Sequence, residues 1–411
     1  MTSLDDLFGS VETDKQDIID ALVNICKIPA LDPSSGGDGE LEKLEFIHEM
    51  IKDWGFDEFK RYDAPDPRTS YGFRPNLVAT YKGSDPETKG SLWMVCHTDI
   101  VPPGEMSDWK SDPFDPVVQE DRIIGRGTED NGQDLIAALF GLRALMKAGI
   151  RPKRDVNIAL VAEEETGSRF GIKHLLEQDL FTQDDLIVVP DGGLVDGDLL
   201  EVSERSIMWL KVTTTGKQVH ASLPHKGLNA NEAGMRYGLK LVDTMRRRYP
   251  KEDPLFEPPF STFEITKKDG NVPNVNTVPG DDVFYVDMRI DPEYDPEEVF
   301  KLANDLAVEV QNETGAKIKL EQIQYAKSPP PTLPDAEIVE RLGESIKKVL
   351  PIVPKPGGIG GGTCAALFRR RGYPAVVWSI MDEVGHMPNE YALISNLLNC
   401  TKVYVALYFD V

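Results

Sequence analysis

The chain has 411 residues, 40% of them apolar and 28% charged, which excludes a disordered or fibrous protein and leaves room for two or three packed domains. Its 45 basic and 69 acidic residues leave a formal net charge of −24, a field that repels phosphates and argues against a nucleic-acid partner. No apolar run reaches the roughly 18 residues of a spanning helix, the opening MTSLDDLFGSVETDKQD is acidic where a secretory leader would be basic, and Cys26, Cys96, Cys364 and Cys400 lack metal or disulfide spacing, so a cytoplasmic protein with reduced thiols is expected.

Apolar residues at helical spacing predict helices over 13–28 (Ile18, Ile19, Leu22, Ile25) and 39–54 (Leu41, Leu44, Ile47, Ile51), separated by the loop ALDPSSGGDGE. Strands follow at 76–81 and 91–96. The second is an apolar run that ends on His97 and Asp99, two residues apart and so on one face if the pairing persists. A His beside an Asp is commonly a structural hydrogen bond. It also suits a metal ligand steadied by a carboxylate. A long polar loop, PPGEMSDWKSDPFDPVVQED, is of a length that is usually functional. Then come GRGTEDNGQ, a helix over 135–147, and a strand over 156–162 that runs into Glu163, Glu164 and Glu165. This strand does not alternate, as expected of one buried on both faces. A helix near 170–177 and a strand over 186–189, ending at Pro190-Asp191-Gly192-Gly193, complete an α/β pattern. Its acidic residues gather at successive strand ends.

Near residue 205 the pattern changes. A period-two strand over 207–215, a helix over 231–249, strands over 261–266 and 283–290, a helix over 296–313 and a strand over 317–323 give the βαββαβ order of a small α+β sandwich. The Pro-rich SPPPTLPDAE then returns the chain to a helix over 338–350, a strand over 375–380 and a last helix to about 409. The expected layout is a first domain split into 1–203 and 325–411, interrupted by an inserted domain over 204–324.

His97, Asp99, Asp130, Glu163 to Glu165, Asp191 and His386 thus form a candidate set at the sheet edge. Two His and several carboxylates suit zinc or a similar divalent ion. Two ions about 3.5–4 Å apart would need one bridging carboxylate and would leave a spare Glu as general base. The Glu run is otherwise a solvated acidic turn, but three like charges directly after a buried strand are eased by a nearby cation. Other readings are weaker. His48 and His174 fall in predicted helices and His225 in a loop. The glycines of Gly360-Gly361-Gly362 follow Pro-rich sequence instead of a strand, against a dinucleotide fingerprint. No Walker lysine motif or Gly-x-Ser-x-Gly elbow occurs.

In order, the chain carries HTDIVP, DWKSDPF, GRGTEDNGQ, EEETGS, PDGG, VHASLPHKGLNA, DMRI and GHMPNE. With these motifs it resembles the dinuclear-zinc amidohydrolases and metallopeptidases that include aminoacylase, glutamate-releasing carboxypeptidase, acetylornithine deacetylase and succinyl-diaminopimelate desuccinylase. The resemblance implies a zinc-peptidase-like catalytic domain with a central mixed sheet and an inserted lid and dimerisation domain. It implies two divalent ions, zinc first, with cobalt or manganese as alternatives. His97 would bind one and His386 the other, with Asp130 bridging both, Glu165 a further ligand and Asp191 completing the other ion's shell. Glu164 would be the general base and Asp99 would orient His97. His220 would stabilise the oxyanion from a partner subunit of a homodimer. Asn276, Arg289, Gly361 and Gly362 would hold a small substrate with a free carboxylate. The implied activity is hydrolysis of an amide bond in an N-acyl amino acid or small peptide. A deacylase is the first expectation, a dipeptidase or carboxypeptidase the alternative, and a relative that binds metal without catalysis a third. One departure stands out: many relatives read Asp-x-Lys-Gly after the bridging Asp, whereas this chain has Asp130-Asn131-Gly132-Gln133.

Overall fold

The computed structural model describes residues 2–411, which divide into two compact units. The first comprises 2–202, 332–356 and 363–411, and the second 203–331 and 357–362. The second boundary lies later than the 324/325 expected from the sequence. The reason is local: the strand Lys317–Ala326 runs three residues further than its apolar pattern, and Ser328 N–H then donates to Ser206 Oγ at 2.9 Å.

An eight-stranded mixed sheet forms the first unit's frame. Its order is Glu58–Arg61, Leu77–Tyr81, Val156–Val161, Leu92–His97, Leu186–Val189, Ala375–Val377, Leu199–Glu204 and Lys355–Ile359. Val156–Val161, Leu92–His97, Leu186–Val189 and Ala375–Val377 run parallel to one another, and so their carboxyl ends share one edge. These are the strands that read as unbroken apolar runs. Val95, Val161, Ile187 and Val189 pack with Phe181 and Phe368 on one face. Helices Asp134–Lys147 and Glu337–Val349 pack against these strands, and Ile394–Asp410 packs against both helices. Burial on both faces removes the alternation a half-exposed strand would show. Sequence periodicity does not reveal the short or polar strands, such as Glu58–Arg61 and Lys355–Ile359, nor the helix Leu4–Thr13 with its Ser3–Asp6 capping box. The expected helix near 170–177 is a single turn, Ile172–Leu175.

In the second unit the strands order as Thr262–Lys268, Asp281–Ile290, Ser206–Thr215 and Lys317–Ala326, all antiparallel. Helices Ala230–Arg248 and Pro296–Thr314 cover the sheet. Met208, Leu210 and Val212 point into a core with Tyr237, Leu241, Val299 and Leu306, and the intervening residues face outward, which is the source of the period-two signal. Among the described residues no helix is long and apolar enough to cross a membrane.

Candidate active site

Three adjacent parallel strands deliver their acidic and imidazole groups to the same edge. His97 is the last residue of Leu92–His97, Glu164 and Glu165 follow Val156–Val161, and Asp191 follows Leu186–Val189. Asp130 enters from the turn Thr128–Gln133 before the helix Asp134–Lys147, and His386 from the loop after Ala375–Val377. The Asp130–Asn131 peptide is cis.

The central element is the Asp130 carboxylate. Its Oδ1 lies 2.9 Å from His97 Nε2 and its Oδ2 3.0 Å from His386 Nε2. Asp191 Oδ1 is 3.4 Å from His97 Nε2, and Glu165 Oε2 is 3.0 Å from His386 Nε2. Two donor groups result, His97–Asp130–Asp191 and Asp130–Glu165–His386, each with its ligand atoms within 4.8 Å of one another. They share one carboxylate that presents a different oxygen to each. This nitrogen and oxygen set fits a borderline divalent ion. A cleft of about 240 Å³ lined by Asp130, Asp191, Met381, Gly385 and His386 opens beside them.

The electrostatics are those of crowded anions. Burial, with the Asp191 charge, pushes Glu164 well above the ordinary carboxylate range. Burial likewise raises Glu165 and Asp191. Burial would lower His97, but the Asp191 charge and the bonds to Asp130, Asp191 and Asp99 outweigh it and hold the imidazole well above its usual value. Hydrogen bonds to Asp130 and Glu165 bring His386 up to about 10. Asp130 is held below its usual value because the bonds from His386 and His97 outweigh burial. A divalent cation relieves such crowding without protonating the carboxylates. The Glu164 carboxylate has no hydrogen-bond partner among the described residues and lies beside Asp191.

Asp99 lies against His97 and also reaches the turn after Val156–Val161. His97 Nδ1 lies 3.1 Å from the backbone oxygen of Asp99 and 3.4 Å from its carboxylate Oδ1. A proton on Nδ1 donated there leaves Nε2 as the free lone pair. The Asp99 carboxylate also accepts from the backbone N–H of Glu164 at 3.0 Å and of Glu165 at 3.1 Å. One residue thus contacts both the His97 ring and the turn that carries the two Glu side chains. Glu163, which the sequence leaves outside the site, takes a left-handed backbone, with φ at 59°, and closes that turn. Its carboxylate accepts from Phe170 N–H at 2.6 Å.

Three further buried residues went unassigned in the sequence. Glu129, 2% exposed, accepts from the backbone N–H of Asp382 and Val384 at 2.6 Å and of Gly385 at 2.9 Å. Glu390 accepts from Glu129 N–H at 3.0 Å and Asp130 N–H at 3.1 Å, and pairs with Arg126, whose other amine donates to the His386 carbonyl at 3.2 Å. This clamp joins the Asp130 turn to the His386 loop. The only hint in sequence is that Glu129 and Glu390 sit inside the two motifs that carry Asp130 and His386. The missing lysine also has a steric account. A Cβ at Gly132 would lie 2.7 Å from Leu22 Cδ1 and closer still to the Gly127 carbonyl oxygen, so the turn is closed to a side chain there.

The remaining candidates belong to the second unit. His220 is exposed, and Ser222 N–H donates to its Nδ1 at 3.2 Å, which places the proton of the neutral ring on Nε2. Asn276 accepts from Ala221 N–H at 2.8 Å through its carbonyl and from Asn274 Nδ2 through its side chain. The Arg289 guanidinium donates to both oxygens of Asp287 and, at 2.7 Å, to the Gly360 carbonyl, which leaves two N–H groups for another partner. Gly361 and Gly362 have open space where a Cβ would project, apart from Ile359 Cδ1 at 3.8 Å from Gly361.

The chain is 36% identical over 410 residues to an uncharacterized metallohydrolase of Methanococcus maripaludis, an alignment covering 93% of this chain and 96% of that protein. It is 25% identical over 378 residues to a succinyl-diaminopimelate desuccinylase of Nitratiruptor, covering 91% and 94%. Among solved structures it is similar to aminopeptidase PepT of Bacillus cereus, with a TM-score of 0.71 and 17% identity over 96% of this chain and 98% of that one. It is also similar to a di-peptidase of Saccharomyces cerevisiae, with a TM-score of 0.69 and 18% identity over 100% and 99%. Residues 93–410 match the family described as Peptidase family M20/M25/M40. The chain belongs to that family and is a metallohydrolase.

Proposed function

We propose that the chain hydrolyses an amide bond in an N-acyl amino acid or small peptide, with deacylation as the first reading. The observation that carries this is the pairing of a shared carboxylate, Asp130, between two imidazoles with a free carboxylate, Glu164, beside them. The proposed cofactors are two divalent ions, zinc first, held by His97, Asp130 and Asp191 and by Asp130, Glu165 and His386. When bound, they would acidify water and polarise the amide carbonyl. Glu164 takes the water's proton and returns it to the departing amine, a task that suits a carboxyl raised by burial and neighbouring charge. His220, from a second copy of the chain, donates its Nε2–H to the developing oxyanion. The two unengaged N–H groups of Arg289, with Asn276 and the amides of Gly361 and Gly362, hold the substrate carboxylate. The desuccinylases among the relatives support the deacylase reading.

Glu164→Gln keeps the shape and removes the base. Turnover on a panel of N-acyl amino acids and dipeptides should fall by about 10²–10⁴-fold, with metal content by mass spectrometry unchanged. Retained turnover would remove Glu164 from its role. Mixing Glu164→Gln with His220→Ala subunits should restore activity through one complete site per mixed dimer. No restoration in a mixed dimer would show that His220 acts within its own subunit or not at all.

A further inference from the structure

Cys364 is 6% exposed, follows Gly-Gly-Thr, and has no role in the reaction proposed above. Its flanks are apolar, which in sequence reads as a packing thiol. In the fold its Sγ comes within 4.8 Å of a carboxylate oxygen of both Glu164 and Asp191. Of the three donor groups found among the described residues, this is the one that contains sulfur. Cys96, equally buried, belongs to no such donor group, and the remaining two thiols have contacts of their own. Cys26 Sγ donates to the Gly127 carbonyl at 3.3 Å, and Cys400 Sγ lies 3.9 Å from Ser379 Oγ. The Cys364 thiol is buried and the Glu164 carboxylate half-buried, and neither has a hydrogen-bond partner among the described residues, so two of the three donors are uncommitted.

We propose that Cys364, Glu164 and Asp191 form an accessory cation site, overlapping the first donor group at Asp191, which takes a thiophilic divalent ion such as cadmium or excess zinc. Mixed sulfur and carboxylate donors select such ions over magnesium or calcium. As the sulfur–metal bond forms, the Cys364 S–H bond breaks and its proton passes to water, one proton for each ion bound. Occupation engages the Glu164 carboxylate, which can then no longer accept the water's proton. The site is therefore inhibitory, and this part rests on Glu164 being the base.

The test adds cadmium chloride to the zinc-loaded full chain and follows two signals: the ultraviolet thiolate-to-cadmium charge-transfer band and the hydrolysis rate of an N-acyl amino acid. In the natural protein the band and the loss of rate should rise together and saturate together. In Cys364→Ser, and in Cys364→Ala should the serine variant fold poorly, the band should vanish. The inhibiting concentration should rise by roughly tenfold or more, each rate being referred to that variant's own rate without cadmium. Absence of the band in the natural protein, its persistence in either variant, or inhibition without it would overturn the proposal. The assignment of Glu164 as base fails separately: Glu164→Gln would keep its turnover, whatever the band does.

Discussion

Glu129 offers a sharp perturbation of the centre without touching a proposed ligand. The His386 backbone is left-handed, with φ at 64°, as is Glu383 at 56°. Each such non-glycine residue costs about 1–2 kcal/mol. Three N–H groups of this loop converge on the buried Glu129 carboxylate, one on Oε1 and two on Oε2. Hydrogen bonds to a charged group contribute about 1.5–3 kcal/mol each, enough to hold the loop in a conformation it would otherwise leave. Glu129→Gln keeps the volume and offers one acceptor oxygen in place of two. If that oxygen serves Val384 and Gly385, the amide nitrogen faces the Asp382 N–H, and one buried donor loses its partner. The expected penalty is about 2–3 kcal/mol, which weakens divalent-ion binding at the His386 side by roughly 30–150-fold. Isothermal titration of the metal-free protein with zinc would show one weakened class and one unchanged class, the latter on the His97 side. Hydrogen exchange at the amides of 382–386 should quicken in the same variant. Unchanged affinity together with unchanged exchange would refute the reasoning, because it would mean the loop holds His386 without the carboxylate.

Other outcomes follow from packing and charge. Gly132→Lys, which restores the residue many relatives carry, should destabilise the fold by about 1–3 kcal/mol through contact with Leu22 and the Gly127 carbonyl; a thermal melt unshifted from the natural protein's would contradict that steric account. Burial, opposed by hydroxyl donors from Ser379 and Tyr404, raises Asp134 to about 7. Its folded value lies above its unfolded value, so its contribution is fully present below pH about 4 and is lost as pH rises through about 7. Asp134→Asn mimics the protonated acid, and the difference in unfolding free energy between the two proteins should swing in favour of Asn by up to about 4 kcal/mol across that window, whereas a flat difference would show that the group stays ionised. Arg74 is wholly buried among Glu40, Asp32 and Asp66. Arg74→Met strands those carboxylates, and denaturant unfolding should report a loss of about 3–5 kcal/mol; a loss under 1 kcal/mol would indicate that the acids are neutral in the fold.

What the sequence discloses follows from how each residue acts. The roles proposed for His97, Asp130, Glu164, Glu165, Asp191 and His386 use their own functional groups, so residue type, strand end and motif order point to them, and the fold gathers all six in one unit. Glu129 acts on the backbone amides of 382, 384 and 385, about 250 positions away, and amides leave no mark in a sequence. Asp99 reads as an imidazole partner because His97 is two residues off, while its bonds to the Glu164 and Glu165 amides need the pairing of Leu92–His97 with Val156–Val161 to be known. Cys364 is the converse case: its chemistry is visible, but its apolar flanks suggest a packing role until the fold sets it against two carboxylates. Motif reading therefore finds groups that meet a ligand and passes over groups that meet the chain. Mutations in the second kind should change metal affinity and loop order while leaving every motif residue in place, and the Glu129 and Arg126–Glu390 clamp is where that difference should be largest.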